Sequence, residues 1–263
     1  MAKGKRWTKH ELLIALNVYH KLRFGQFHAR QPVIIDTAKR LERTPGSLAM
    51  KLSNFASLDP ALQLRGIRGL EGASNLDRSA WIEFHENPLD MVPASEEALR
   101  SIFHTADDKQ LEVNPDKGVR FRKKSLPEVT EATATVKQRR GQDYFRDAVL
   151  NNFGGRCGIT GLDIRELLIA SHILPWSKYP GERLNVRNGI SLSRLHDAAF
   201  DIGLIAFDDN LQLILSHRLR KRISHEAIKS NFCEYAGIAL KLPDDAQLPE
   251  AQFLSAHRKT FGF

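Results

Sequence analysis

Apolar residues near the N-terminus recur at helical spacing. From Trp7 to Leu22, the side chains Leu12, Leu13, Leu16, Tyr19 and Leu22 fall roughly on one stripe, and Thr8 with Glu11 has the spacing of a capping box. A second helix is predicted over Asp36–Leu41, with Ile34, Ile35, Ala38 and Leu41 turned inward. In the turn Arg43–Ser47, Thr44 can cap and Pro45 can take the first helical position. A third helix is then predicted from Pro45 to about Ser57, apolar at Leu48, Leu52 and Phe55. Helix, tight turn, helix is the layout of a helix-turn-helix reader. It places Lys51, Ser53 and Asn54 on the exposed face. The same pattern also suits a three-helix bundle with only a packing role.

Glycines at 66, 69 and 72 mark a loop before a short helix at Asp77–Phe84. Between 86 and 140 the pattern breaks up at Pro88, Pro93, Pro115, Gly118 and Pro127, and the polar run Glu128–Thr135 follows. This reads as an interdomain connector with a little local structure. Regularity returns at Gly141. A helix is predicted over Gln142–Phe153, ended by Gly154-Gly155, then a strand over Leu167–Ile173. A short strand at Gly189–Leu192 and a helix at Arg194–Asp201, stopped near Gly203, complete the order strand, loop, strand, helix. The expected class is α+β, with a helical domain at 1–95, a connector at 96–137 and a second domain at 138–263.

Charge sharpens this picture. The chain of 263 residues carries a formal charge of +8. Residues 1–60 hold 11 Lys and Arg against 4 Asp and Glu, and residues 120–140 hold 7 against 2. A polyanion is the expected partner, nucleic acid before membrane surface. The basic run Arg120–Lys124 reads either as a solvated linker or as a track for phosphates. No apolar stretch approaches the roughly 20 residues of a membrane span. Two cysteines, Cys157 and Cys233, exclude a four-cysteine zinc site and suit a reducing cytoplasm. Cys157 reads as a buried apolar residue.

Candidate chemistry lies between 170 and 203. Hydrolysis of a phosphodiester needs a base for water, neutralisation of the phosphate and support for the leaving oxygen. Histidine titrates near neutrality and suits the first task, and a hard divalent ion suits the other two. His172 and His196 stand 24 positions apart with Asn188-Gly189 between them. A strand-loop-strand-helix hairpin could bring them to one cleft. His172 would end the first strand, Asn188 would open the second and brace the loop, and His196 would lie on the helix with Asp201 a turn beyond.

The marks Arg140-Gly141-Gln142, Arg156-Cys157-Gly158-Ile159-Thr160-Gly161, Ser171-His172-Ile173, Pro175-Trp176, Asn188-Gly189, Leu195-His196 and Ala199-Phe200-Asp201 resemble the prokaryotic HNH endonucleases of the ββα-metal fold, in the branch of restriction-type enzymes. The resemblance covers about residues 138–263. It implies that His172 activates water, that Asn188 fixes the loop, and that His196 and Asp201 bind the metal, Mg²⁺ or else Mn²⁺ or another divalent ion. Asp197 is the other carboxylate within reach of that role. Two departures stand out. Ser171 occupies a position where many relatives carry a ligand, and Phe200 stands where a helix ligand is usual. Arg140, Gln142 and Arg146, with Lys51 and Asn54, are candidates to touch nucleic acid. The expected partner is double-stranded DNA, with a homodimer suited to cutting both strands. A non-catalytic DNA-binding regulator and a structure-selective nickase are the alternatives.

Overall fold

The computed structural model describes residues 5–106, 109–123 and 136–263. Lys124 of the basic run and the polar run Glu128–Thr135 lie outside the described residues. The chain is mixed helix and small antiparallel sheets, an α+β fold, and it falls into two compact units, Met1–Ala148 and Val149–Phe263.

The first unit opens with α1 (Lys9–Lys21), α2 (Pro32–Arg40) and α3 (Pro45–Ala56). The expected caps form. Glu11 N–H donates to Thr8 Oγ1 at 3.2 Å while Thr8 N–H donates to the Glu11 carboxylate at 2.8 Å. Thr44 caps α3 through Ser47 N–H, with Pro45 in the first turn. α2 begins four residues before the predicted start, because Gln31 caps it and Pro32 is pre-set for a first helical position. α4 (Pro60–Leu64), α5 (Asn75–Glu86) and α6 (Pro88–Ile102) follow. α1 packs against α3, α5 and α6 and is buried nearly all round. Its polar side is therefore not a solvent face. Asn17 donates to Ser95 and Glu96, and Lys21 pairs with Glu96 at 2.6 Å and with Asp147 at 3.5 Å.

The expected connector is more ordered than its prolines suggest. Pro88 starts α6 at a position where a missing N–H costs nothing, and Pro93 lies buried inside the same helix. An antiparallel hairpin, β1 (Lys109–Asn114) and β2 (Gly118–Lys123), packs on α2, where Asp36 accepts from Val119 N–H at 2.9 Å. α7 (Val136–Asn152) contains the division between the units. Its first part belongs to unit 1, since Asp147 accepts from Val113 N–H at 2.8 Å and Asp143 from Gln110 at 2.5 Å. The division between the compact units falls between Ala148 and Val149.

The second unit is built on β3 (Leu168–His172) and β4 (Gly189–Ser193), an antiparallel pair, with α8 (Arg194–Asp201) packed on both strands. β5 (Ile205–Phe207) and β6 (Leu213–Leu215) form a second antiparallel pair. Short helices α9 (His217–Arg220) and α10 (Glu226–Asn231) lead to α11 (Ala251–Phe261), which packs on β5. Cys157, Leu168, Ile190, Leu192, Phe200, Phe207, Leu213 and Leu254 are among the core side chains. Cys157 is fully buried, as expected, and its sulfur accepts from Ser193 N–H. Among the described residues, no helix is long and apolar enough to cross a membrane.

Candidate active site

The register of β3 and β4 sets the hairpin faces. Leu168 pairs with Ser193, Ala170 with Ser191 and His172 with Gly189, so these six share one face. Ser171 pairs with Ile190 on the other face and is 2% exposed. Strand alternation therefore separates Ser171 from His172, in keeping with a serine that is not a ligand.

His172 is half-buried at the end of β3. Its Nε2 lies 3.0 Å from the Arg183 carbonyl, which can only accept, so Nε2 carries the proton and Nδ1 is the basic nitrogen. Burial lowers the pKa of the imidazole, and the Arg183 carbonyl offsets this in part. Trp176 meets the ring edge-on at 5.3 Å, and the Arg183 guanidinium lies 5.2 Å from the Trp176 ring. Arg183 Nε also donates to the Trp176 carbonyl. The Arg183 carbonyl and the Trp176 ring are thus among the groups that hold the His172 ring.

Asn188 closes the loop between the strands. It is 1% exposed. Its Oδ1 accepts from Leu174 N–H at 2.8 Å, its Nδ2 donates to the Glu182 carbonyl at 3.0 Å, and its own carbonyl accepts from Ile173 N–H at 2.9 Å. One side chain therefore ties the start of the loop to its far end. Glu182 immediately precedes the residue whose carbonyl orients His172, so Asn188 braces His172 at one remove.

His196 lies on the helix that follows the second strand. It is 2% exposed on α8. Its Nε2 donates to the Asn231 carbonyl at 2.8 Å, and Nδ1 accepts from Ser193 Oγ at 2.8 Å. Burial lowers its pKa. Both ring nitrogens are committed to protein, so a metal at His196 would have to displace one of these partners. In the structure the imidazole pins α8 to Asn231, the last residue of α10. Phe200 is core, and the ring of His257 lies flat on it at 3.8 Å.

The carboxylates of α8 are the remaining donors. Asp197 and Asp201 are four apart and share one helical face. Asp201 is exposed as a residue, yet its carboxyl sits partly among protein atoms. That desolvation, with the nearby Asp197 charge, raises its pKa to about 6. A hard cation would relieve both effects, and one or two carboxylates with water is a usual Mg²⁺ donor set. Among the described residues, no group of three or more His, Cys, Asp or Glu gathers as a ready metal cage. Gly203 stops α8 with φ +65°, and a Cβ there would stand 2.3 Å from Phe261. This close approach fixes where the helix ends relative to Asp201.

The expected nucleic-acid contacts divide. Lys51 does not lie on an exposed face; it is 7% exposed, with both Asp77 oxygens at 2.7 Å. Asn54 is half-buried on α3. Arg140 is largely buried and pairs with Glu97 at 2.7 Å. Gln142 is exposed and Arg146 half-buried on α7. Trp176, Arg183, Ser193 and Asn231 are supports that sequence reasoning missed. Trp176 stands among the motif residues, but Arg183 and Asn231 act through backbone carbonyls, which no residue type reveals.

Residues 157–208 match the family model described as HNH endonuclease. No curated protein matches the chain. The matched stretch runs from Cys157 through the hairpin, Asn188 and α8 to the residue after β5, and enzymes of this family commonly use divalent metal ions. The second unit of this chain therefore carries an HNH endonuclease domain.

Proposed function

We propose that the protein is a divalent-metal-dependent DNA endonuclease, of restriction or defence type, with unit 1 as its DNA reader and His172 as general base. The observation that carries the reading is the tautomer of His172. With Nε2–H fixed on the Arg183 carbonyl, Nδ1 is the atom that can take a proton from water. The lowered pKa keeps the imidazole neutral, and so competent as a base, at neutral pH. Asn188 holds the loop that supplies the orienting carbonyl.

Asp201, with Asp197 one turn before it and His196 on the same helix once one of its protein partners is exchanged, would hold the divalent ion, Mg²⁺ first and Mn²⁺ as a substitute. When bound, such an ion neutralises phosphate charge and supports the leaving 3′ oxygen. Duplex DNA fits the charge of +8, and a helical reader fits the major groove of B-form DNA better than that of A-form RNA.

The test is plasmid cleavage by the full chain with Mg²⁺, with EDTA as control and with methylated substrate included. The His172→Ala variant should bind DNA as the parent does and cut at least about 100-fold more slowly, the usual size of a general-base effect. An unchanged cleavage rate would remove His172 from this role. DNA that stays intact with every divalent ion would favour a non-catalytic DNA-binding protein.

A further inference from the structure

α3 buries Leu48, Ala49, Lys51, Leu52, Phe55 and Ala56. At 3.6 residues per turn, the opposite side carries Ser47, Met50 and Asn54 in line. Met50 is 60% exposed there, on a helix without an acidic residue. A large apolar side chain between a hydroxyl and an amide is an unusual solvent face, because it offers both apolar contact and hydrogen bonds.

The loop after α4 is fixed beside the last turn of this helix. Leu70 N–H donates to the Ser53 carbonyl at 3.0 Å, and Gln63 Nε2 donates to the Ser57 carbonyl at 2.8 Å. Gly69 comes so near that an added Cβ would stand 2.2 Å from Ser57 N and 2.4 Å from Ser53 O. Only glycine permits that approach. The anchored loop carries two exposed cations, Arg65 and Arg68, with Glu71 as their acidic neighbour. A tethered loop presents its charge with little ordering cost on binding.

Resting on the reading of unit 1 as a DNA reader, we infer that this face is the reading surface. Met50 and Asn54 address base edges in the major groove, and Arg68, beside Arg65, holds a phosphate. An asparagine amide matches adenine, and an apolar side chain matches the C5 methyl of thymine. The arginines supply the sequence-independent part of affinity. Lys51, turned to Asp77, takes no part.

The test uses the full chain carrying His172→Ala, without metal, so that DNA stays intact. Preferred duplexes are selected from a random-sequence pool, and affinity is measured across salt concentrations on a selected and an unselected duplex. Arg68→Ala should weaken binding to both alike and reduce the salt slope by about 1. Met50→Ala and Asn54→Ala should each cost about tenfold on the selected duplex and nothing on the other, with the slope unchanged. Replacing thymine by uracil in the selected duplex should reproduce the Met50→Ala loss in the parent and add nothing in that variant. All three side chains are at least partly exposed, so an unchanged thermal melt confirms that each variant folds. Uracil substitution without effect overturns the Met50 contact. Equal binding by Arg68→Ala, Met50→Ala and Asn54→Ala overturns the assignment of this face while leaving DNA binding by unit 1 open. Failure of the parent to bind any duplex overturns the reader itself.

Discussion

At the scale of single residues, the site depends on side chains that hold backbone. Asn188→Ala would leave Leu174 N–H without its 2.8 Å acceptor inside the protein. An unsatisfied buried donor costs about 1–3 kcal/mol. The same substitution frees the Glu182 carbonyl, next to the one that sets the His172 tautomer. The variant should therefore melt at lower temperature and lose turnover at saturating DNA, while Kd for DNA stays near that of the parent. Loss of affinity with turnover intact would place Asn188 at the DNA instead. Asn188 was legible in the sequence because Asn-Gly at a strand start suggests a turn as well as a brace. His196 was legible as a motif position, but its two partners were not, since one is a backbone carbonyl 35 residues away in sequence. Lys51 shows the same limit: an exposed position on a helical wheel becomes interior once α5 brings Asp77 to it.

Among the elements, α8 and α11 form the support behind the carboxylate pair. His257 on α11 donates to the Phe200 carbonyl and stacks on its ring. Burial lowers its pKa to about 4, with Arg258 adding to the effect and the Phe200 carbonyl opposing it. The unfolded chain, with an ordinary histidine near 6.5, binds more protons than the folded one between those values. Stability is therefore fully present above about pH 6.5 and falls as the pH drops toward 4, by on the order of 3 kcal/mol for a group this buried. Denaturant titrations at pH 7 and 4.5 should show that fall in the parent, and a smaller one in His257→Phe. An equal fall in both would show that His257 does not titrate in this way. The strand-loop-strand-helix order was readable from alternation and from Gly203. The hairpin of β1 and β2 was not, because Pro115 and Gly118 read as linker punctuation although Pro115 opens a tight turn and Gly118 resumes the strand after it. α6 was hidden for a related reason, since a proline that begins a helix looks the same in sequence as one that ends it.

For the whole molecule, the α+β class and an HNH endonuclease domain in the C-terminal half were visible in the sequence, but what closes the first compact unit was not. It depends on ion pairs between segments far apart, and charge pairing leaves no periodic trace. A fragment ending at residue 95 omits Glu96 and Asp147, the partners of buried Lys21. An unpaired interior cation costs about 3–5 kcal/mol. Fragment 1–95 should therefore lack a cooperative thermal transition by circular dichroism, while fragment 1–152, which includes all of α7, should show one. Cooperative melting of the shorter fragment would show that unit 1 closes without α7.

The Lys21 pairing also bears on the order of synthesis. On the ribosome α1 is made early, but Asp147 follows 126 positions later, near the end of α7. Glu96 can pair with Lys21 earlier, and the second carboxylate joins only once translation has reached α7. His172 is made only 25 positions after Asp147, so the carboxylate that completes the Lys21 cluster is synthesised just ahead of the hairpin that bears this histidine.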